Sequence, residues 1–357
     1  MKKRFLSLLL LTPLLLGCQG NIHYERETYF TKDLKVDNIN NFVICSMSDI
    51  HLSVISNLYD ETNYLERCIR SYNGNYDASF SPNLITLDGD IFMDCNKTIV
   101  DKFLSWLDSL NIPFSFVYGN HDLQGSYSYY WFNARLLECK NIYFVNPKND
   151  DVYGNSNYVT NIKVGDEIKW QLYYFDSNNY KGLAYDIVHE DQINWYREME
   201  EKTKEIAGRY VPAISYMHIP LEEFDEVRKI VKNDKNDTRI GAGSYWYFGE
   251  GVACGYKDNN LFETFQEFGA VKAIVSAHDH IDNTDISYNK DGNGAVRLIY
   301  NTKTGRGIYH DRRIMGCNFF TLKEDGTFTN KRMLVGYDNS ITEMTNDYIK
   351  SIGGDYK

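Results

Sequence analysis

Five short stretches of this 357-residue chain gather residue types that bind cations. They are Ser48-Asp49-Ile50-His51, Asp88-Gly89-Asp90, Gly119-Asn120-His121-Asp122, Met217-His218-Ile219-Pro220 and Ala277-His278-Asp279-His280. The chain has eight histidines, and five of them (His51, His121, His218, His278, His280) lie in these stretches. Scattered surface histidines would not sort that way. Carboxylate and imidazole donors together suit zinc, iron or manganese, whereas thiolates would mark a structural zinc. In Asp-x-His and His-x-His the side chains are two positions apart, so they share a face on an extended strand. In a loop they can serve neighbouring ions. About seven donors over-supply one ion and match two that share a carboxylate. Two metals roughly 3.5–4 Å apart can clamp a phosphoryl group and generate hydroxide near neutral pH. Each stretch alone also has a plainer reading. Gly, Asn and Asp are turn formers, so Val117-Tyr118-Gly119-Asn120-His121-Asp122 taken singly could be an ordinary turn.

The order of elements favours a shared site. Every stretch follows an apolar run of β type: Phe42–Cys45, Leu84–Leu87, Phe114–Val117, Val211–Tyr216 and Val271–Val275. Between the runs, Tyr59–Tyr72, Lys97–Leu110 and Glu190–Ile206 carry apolar residues at helical spacing. Strand–helix alternation predicts a layered α/β domain with buried strands. In such sheets ligands bind beyond the carboxyl ends of the strands, where all five stretches fall. Leu298–Val335 reads as further strands, with Glu324-Asp325-Gly326-Thr327 as a hairpin turn. No repeat, low-complexity block or linker divides the chain after residue 40. One domain over 41–340 is expected, followed by a polar tail over 341–357.

Taken together, Asp49-x-His51, Gly89-Asp90, Gly119-Asn120-His121-Asp122, His218 and His278-x-His280 resemble the ordered motif set of the calcineurin-like metallophosphoesterases, notably their purple-acid-phosphatase-related members. The resemblance runs from residue 43 to 280 and returns at Tyr300–Tyr309 (YNTKTGRGIY). It implies a β-sandwich flanked by helices and a binuclear centre of two divalent or mixed-valence ions of Fe, Zn or Mn. Asp49, His51 and His280 would hold one ion, Asn120, His218 and His278 the other, and Asp90 would bridge them. His121 would stay unligated beside the phosphate of a mono- or diester substrate. A metal-bound hydroxide would attack phosphorus in line, and His121 would protonate the leaving oxygen. Two departures stand out: Ala277 precedes His278 where the family carries glycine, and Met93 occupies the position of the tyrosine that colours purple acid phosphatases.

Other polar residues near these motifs have several readings. Asp88 and Asp122 suit turns or the support of a ligand. Asp176 reads as a turn residue, and Asp279 as pointing away. Arg306 could reach phosphate or form a surface salt bridge. The aromatic stretches Tyr127–Phe132 and Tyr245–Phe248 could rim a substrate pocket, though packing under loops is the commoner use.

The N-terminus reads as a targeting segment. Lys2, Lys3 and Arg4 precede the apolar run Phe5–Leu16, which is short of the roughly 20 residues that span a bilayer. Leu15-Leu16-Gly17-Cys18 resembles a bacterial lipobox, which predicts a signal peptide over 1–17, lipid on Cys18, a tether over 18–40, and an exported, membrane-anchored protein. Cys45, Cys68, Cys95, Cys139, Cys254 and Cys317 contain no Cys-x-x-Cys pair, and six cysteines allow 15 connectivities. Cys45 reads as a small buried hydrophobe. The net charge of -11 lacks a nucleic-acid binder's basic footprint, and an acidic protein attracts an anionic substrate only through cations in its site. Three classes therefore stand: an exported metal-dependent phosphoesterase, a nuclease-like phosphodiesterase, and a non-catalytic metal-binding surface lipoprotein. Acidity speaks against the second, and an unligated His121 against the third.

Overall fold

Apolar runs without alternation need cover on both faces. Phe42–Met47 and Ala213–Tyr216 are buried at every position. The computed structural model, which describes residues 31–145 and 152–357, provides that cover with two packed sheets and outer helices. The six-stranded sheet runs Ile341–Glu343, Phe328–Val335, Gly316–Leu322, Phe42–Met47, Leu84–Asp88, Phe114–Val117. The nine-stranded sheet runs Thr31–Val36, Tyr158–Val164, Glu167–Tyr174, Ala213–Tyr216, Val271–Ser276, Val296–Tyr300, Asp282–Tyr288, Tyr245–Phe248, Asp355–Tyr356. A separate hairpin pairs Tyr180–Lys181 with Ala184–Tyr185.

Aromatic side chains join the two sheets. Tyr216 meets Phe320 at 6.3 Å between ring centroids, and Trp170 meets Phe328 at 6.4 Å. Tyr158 reaches from one sheet to the backbone of the other, donating to the Phe116 carbonyl (2.8 Å) and accepting from the Phe116 amide (3.1 Å). Leu58–Ile69 and Lys97–Ser109 cover the outer face of the six-stranded sheet, and Glu190–Ala207 and Leu261–Phe268 that of the other. The elements end where side-chain chemistry ends them. Asn96 caps the helix Lys97–Ser109 by accepting from the Ile99 amide (3.0 Å). Gly208, at φ 70°, closes Glu190–Ala207.

The expected architecture is present, with changes at both ends. Thr31–Val36, assigned to the tether, pairs in parallel with Tyr158–Val164 as an edge strand. Residues 1–30, including Cys18 and the apolar leader run, lie outside the described residues. Residues 341–357 are built into the domain rather than trailing from it. Ile341–Glu343 extends the six-stranded sheet, and Asp355–Tyr356 pairs with Tyr245–Trp246. The polar composition hid a small apolar stripe: Met344 and Ile349 bury against Tyr245, Ile314 and Leu334. The buried Arg332 guanidinium lies 3.3 Å from the Tyr245 ring centroid and donates to the Met344 carbonyl (3.3 Å). All six cysteines of the described residues are unpaired, and Cys45 is fully buried. No helix among those residues is long and apolar enough to cross a membrane.

Candidate metal centre

The five donor stretches meet where the two sheets abut. Phe42–Met47, Leu84–Asp88 and Phe114–Val117 deliver Asp49, His51, Asp90, Asn120 and His121 from the six-stranded sheet. Ala213–Tyr216 and Val271–Ser276 deliver His218, His278 and His280 from the nine-stranded sheet. Donor atoms of Asp49, His51 and His280 lie within 4.8 Å of one another, as do those of Asp90, His218 and His278. Nε2 of His51 and Nε2 of His280 are 3.0 Å apart, and Asp49 Oδ1 is 3.7 and 3.4 Å from them. Asp90 lies between the groups. Its Oδ2 is 3.1 Å from His218 Nε2 and 3.9 Å from His51 Nε2. All seven residues assigned as ligands from sequence are buried.

The ligand loops adopt a conformation that costs free energy. Asp49, His51, Asp90 and His278 have φ of 51°, 53°, 54° and 77°. Non-glycine residues in that region typically cost about 1 kcal/mol or more each and persist only when their surroundings over-determine them. Those surroundings are visible. The Asp49 and His51 amides donate to the Gly89 and Asp90 carbonyls, each at 3.0 Å. Buried Asp122 accepts from the amides of Asp90 (2.9 Å), Phe92 (2.9 Å) and Gly119 (2.7 Å), stitching two loops together. Two glycines permit the crowding. A Cβ on Gly89 would lie 2.5 Å from the His218 ring, and one on Gly119 would lie 2.2 Å from Asp90 Oδ1.

The donors are aimed and left bare. His218 Nδ1 contacts the Asp88 carbonyl (3.0 Å) and His280 Nδ1 the Tyr309 carbonyl (3.1 Å), which leaves each Nε2 for the centre. Asp49 Oδ1, Asp90 Oδ2, Asn120 Oδ1 and His218 Nε2 are buried without a hydrogen-bond partner. Buried polar atoms are rarely abandoned, and each costs roughly 1–3 kcal/mol. Asp49 Oδ1, Asp90 Oδ2 and His218 Nε2 meet only close carboxylate–histidine contacts, such as the 3.1 Å Asp90–His218 pair, and a set of that kind fits cations. Burial pushes His51 and His278 down to about 4 and about 3, so both are neutral, as a ligand must be. Burial opposes the charge on His218, but Asp90 outweighs it and lifts the ring to about 10. Burial likewise opposes the charge on Asp49, yet contacts with His280 and His51 hold its carboxyl well below the usual range. These charges are the histidine–carboxylate pairing that cations would replace.

His121 stands apart from the ligand groups. Its Nδ1 meets Gln124 Oε1 (2.7 Å), while its Nε2 is 3.9 Å from Asp90 Oδ2 and its side chain is 25% exposed. Arg306 donates to Glu61 (3.1 Å) and stacks on Tyr64, which is the salt bridge left open by sequence. Asp176 accepts from the Asn178 amide (2.9 Å), and Asp279 accepts from the Ala253 amide and Tyr300 hydroxyl, away from the centre. Asp88 accepts from Ser46 and Asn301. The aromatic stretches pack rather than rim the site: Phe132, Tyr245 and Trp246 are buried, although Tyr130 is exposed.

Sequence reasoning missed two supports. Buried Lys303 donates to the Asp49 carbonyl (2.7 Å), and burial lowers its ammonium to about 8. It lies in the segment of later resemblance but had no assigned role. Tyr180 and Tyr185 stand over Asn120 and His278: the Asn120 amide nitrogen donates to the Tyr180 hydroxyl (3.3 Å), and the Tyr185 ring sits 4.4 Å from that of His278. The signal was Tyr-Lys-Gly-Leu-Ala-Tyr, a glycine-centred turn between short runs.

Comparison with known proteins agrees with this geometry. The family model described as calcineurin-like phosphoesterase matches residues 42–282, which include all seven donors. "Probable inactive purple acid phosphatase 14" of Arabidopsis thaliana is 25% identical over 79% of this chain and 76% of its own length. "Probable inactive purple acid phosphatase 28" of the same plant is 24% identical, covering 62% of this chain and 57% of its own. "Phosphatase DCR2" of Saccharomyces cerevisiae is 23% identical over 67% of this chain and 44% of its own.

Proposed function

We propose, from the premise that the chain belongs to the calcineurin-like phosphoesterases, that it hydrolyses phosphate mono- or diesters at a two-cation centre. The observation carrying this reading is the convergence of buried, partnerless donor atoms in two groups around Asp90. Asp49, His51 and His280 would hold one cation, Asn120, His218 and His278 the other, and Asp90 both. When bound, such a pair supplies Lewis acidity for the phosphoryl oxygens and activates water near neutral pH. The chain's own residues do the rest. The buried donors would fix where a phosphoryl group can sit, and with both cations held there the charge of Asp49 and Asp90 would be more than offset, so that an acidic protein can accept an anion. His121, held at Nδ1 by Gln124, would donate from Nε2 to the leaving oxygen. We further propose that the N-terminal segment directs export and lipid attachment at Cys18, with the domain acting on a small phosphate ester in the cell envelope.

A second reading, metal binding without turnover, is favoured by the word "inactive" in the names of two relatives. It is weakened by His121, an imidazole outside both donor groups, for which a purely structural site has no need. Elemental analysis of purified protein, with hydrolysis of chromogenic mono- and diesters in Mn²⁺, Zn²⁺ or Fe²⁺ with and without chelator, separates the two. The expected result is two cations per chain and turnover abolished by chelation. Bound metal without turnover on any ester would leave the second reading.

A further inference from the structure

The hairpin Tyr180–Lys181/Ala184–Tyr185 leaves the sandwich between the strand Glu167–Tyr174 and the helix Glu190–Ala207. Gly182, at φ 68°, turns it, and Leu183 at the tip is fully exposed. Its two tyrosine rings stack at 5.2 Å. Both touch the metal centre, and both on the same side. The Tyr180 hydroxyl accepts from Asn120 Nδ2, while the rings of Tyr185 and His278 meet edge to face. Asn120 and His278 belong with Asp90 and His218. The other group is secured by different means: Lys303 on the Asp49 carbonyl and the Tyr309 carbonyl on His280.

A carboxamide has two dissimilar ends, and only its oxygen binds a cation. An outside acceptor that holds Nδ2 therefore dictates where Oδ1 points. Here Oδ1 is buried and accepts no hydrogen bond, while Nδ2 is held by the Tyr180 hydroxyl. Among the described residues, that acceptor is the side-chain hydrogen bond that distinguishes the two amide orientations of Asn120. We infer that Tyr180 is a positioning residue for the cation held by Asn120, His218 and His278, so that the hairpin governs one of the two cation sites and not the other. The inference rests on the function proposed above. It adds that the two sites differ in their dependence on an element outside the strand-end loops, an aromatic hairpin with an exposed tip.

The test is a double-mutant cycle read by metal binding rather than by activity. Metal-free full-length protein and its Tyr180→Phe variant are titrated with Mn²⁺ and with Zn²⁺ by calorimetry. Tyr180→Phe keeps the ring and its stacking and removes only the acceptor. One site should keep its affinity and the other should weaken, by roughly 10–100-fold if the effect matches other groups that orient a metal ligand. In Asn120→Asp the two side-chain oxygens are equivalent, so no orienting contact is needed. Adding Tyr180→Phe to that background should change neither site. Equal weakening of both sites, no change, or an undiminished effect in the Asn120→Asp background would overturn the inference while leaving the two-cation reading intact. Absence of any cation uptake by the unaltered protein would overturn both.

Discussion

Among the described residues, two regions crowd acids closely enough to hold a cation, and they solve the problem in opposite ways. At the strand ends, Asp49 and Asp90 face histidines, and several donor atoms have no partner. On the far side of the nine-stranded sheet, Glu223, Asp258 and Glu263 also converge within 4.8 Å. There Lys290 fills the middle, donating to Glu223 (2.7 Å) and Glu263, with Asp258 at 3.9 Å. The difference teaches that a cluster of acids is not itself a metal site. One that carries its own cation is finished, whereas one whose donors are aimed, buried and unsatisfied is built for a guest. Glu200 is a third solution. It is buried beside Tyr173 and Tyr196 with no ion pair among the described residues, and burial lifts its carboxyl to about 7.

The comparison can be broken at several points. Asp90→Ala removes the carboxylate that lies between the two donor groups. Both cations should be lost, with hydrolysis falling by roughly 10⁴ or more, the scale at which units that act together fail. Full metal occupancy by elemental analysis would remove Asp90 from its bridging place. His121→Ala should keep both cations and lower kcat by about 10²–10⁴, the range of general acid catalysis. Metal loss in that variant would make His121 a ligand instead.

The closed cluster should respond in stability alone. Lys290→Met leaves Glu223 and Glu263 uncompensated and should cost about 2 kcal/mol in denaturant unfolding. That is less than for a fully buried pair, because a fifth of the lysine side chain is in solvent. Its cation content and turnover should be those of the unaltered protein; a fall in either would tie the two regions together. The smallest effect is at Glu200. Its folded pKa lies above its unfolded value near 4.5, so folding favours the protonated form. Its stabilising contribution is whole below about 4.5, declines as pH rises, and is gone above about 7. Glu200→Gln should flatten that stretch of the stability–pH curve and gain about 1–2 kcal/mol at pH 8. An unchanged curve would show that Glu200 ionises freely in the fold.

Much of the site was readable because its signals are local. Asp49-x-His51 or Gly119-Asn120-His121 needs only a strand, a tight turn and a short donor run, all encoded within a few residues. What could not be read depends on pairing across the chain. Nothing near His218 or His278 tells that their strands lie in a different sheet from those of Asp49 and Asp90. The C-terminal stretch looked like a tail because Met344 and Ile349 are sparse among polar neighbours, and their shelter comes from Tyr245 and Leu334 far away in sequence. Lys303 looks like any surface lysine until its partner, a backbone carbonyl, is known. Arg306 was ambiguous for the same reason, since Glu61 sits on a helix 245 positions earlier.

Each donor group draws on both sheets: Asp49 and His51 with His280, Asp90 with His218 and His278. Neither leaf of the sandwich therefore supplies a complete donor group alone, and the spacing of the two groups is gauged by how the leaves seat on one another. Trimming an aromatic wedge such as Phe320, which packs against Tyr216 between the leaves, would act at a distance on how the two donor groups face one another. In this molecule the packing of the interior is the ruler by which the chemistry is measured.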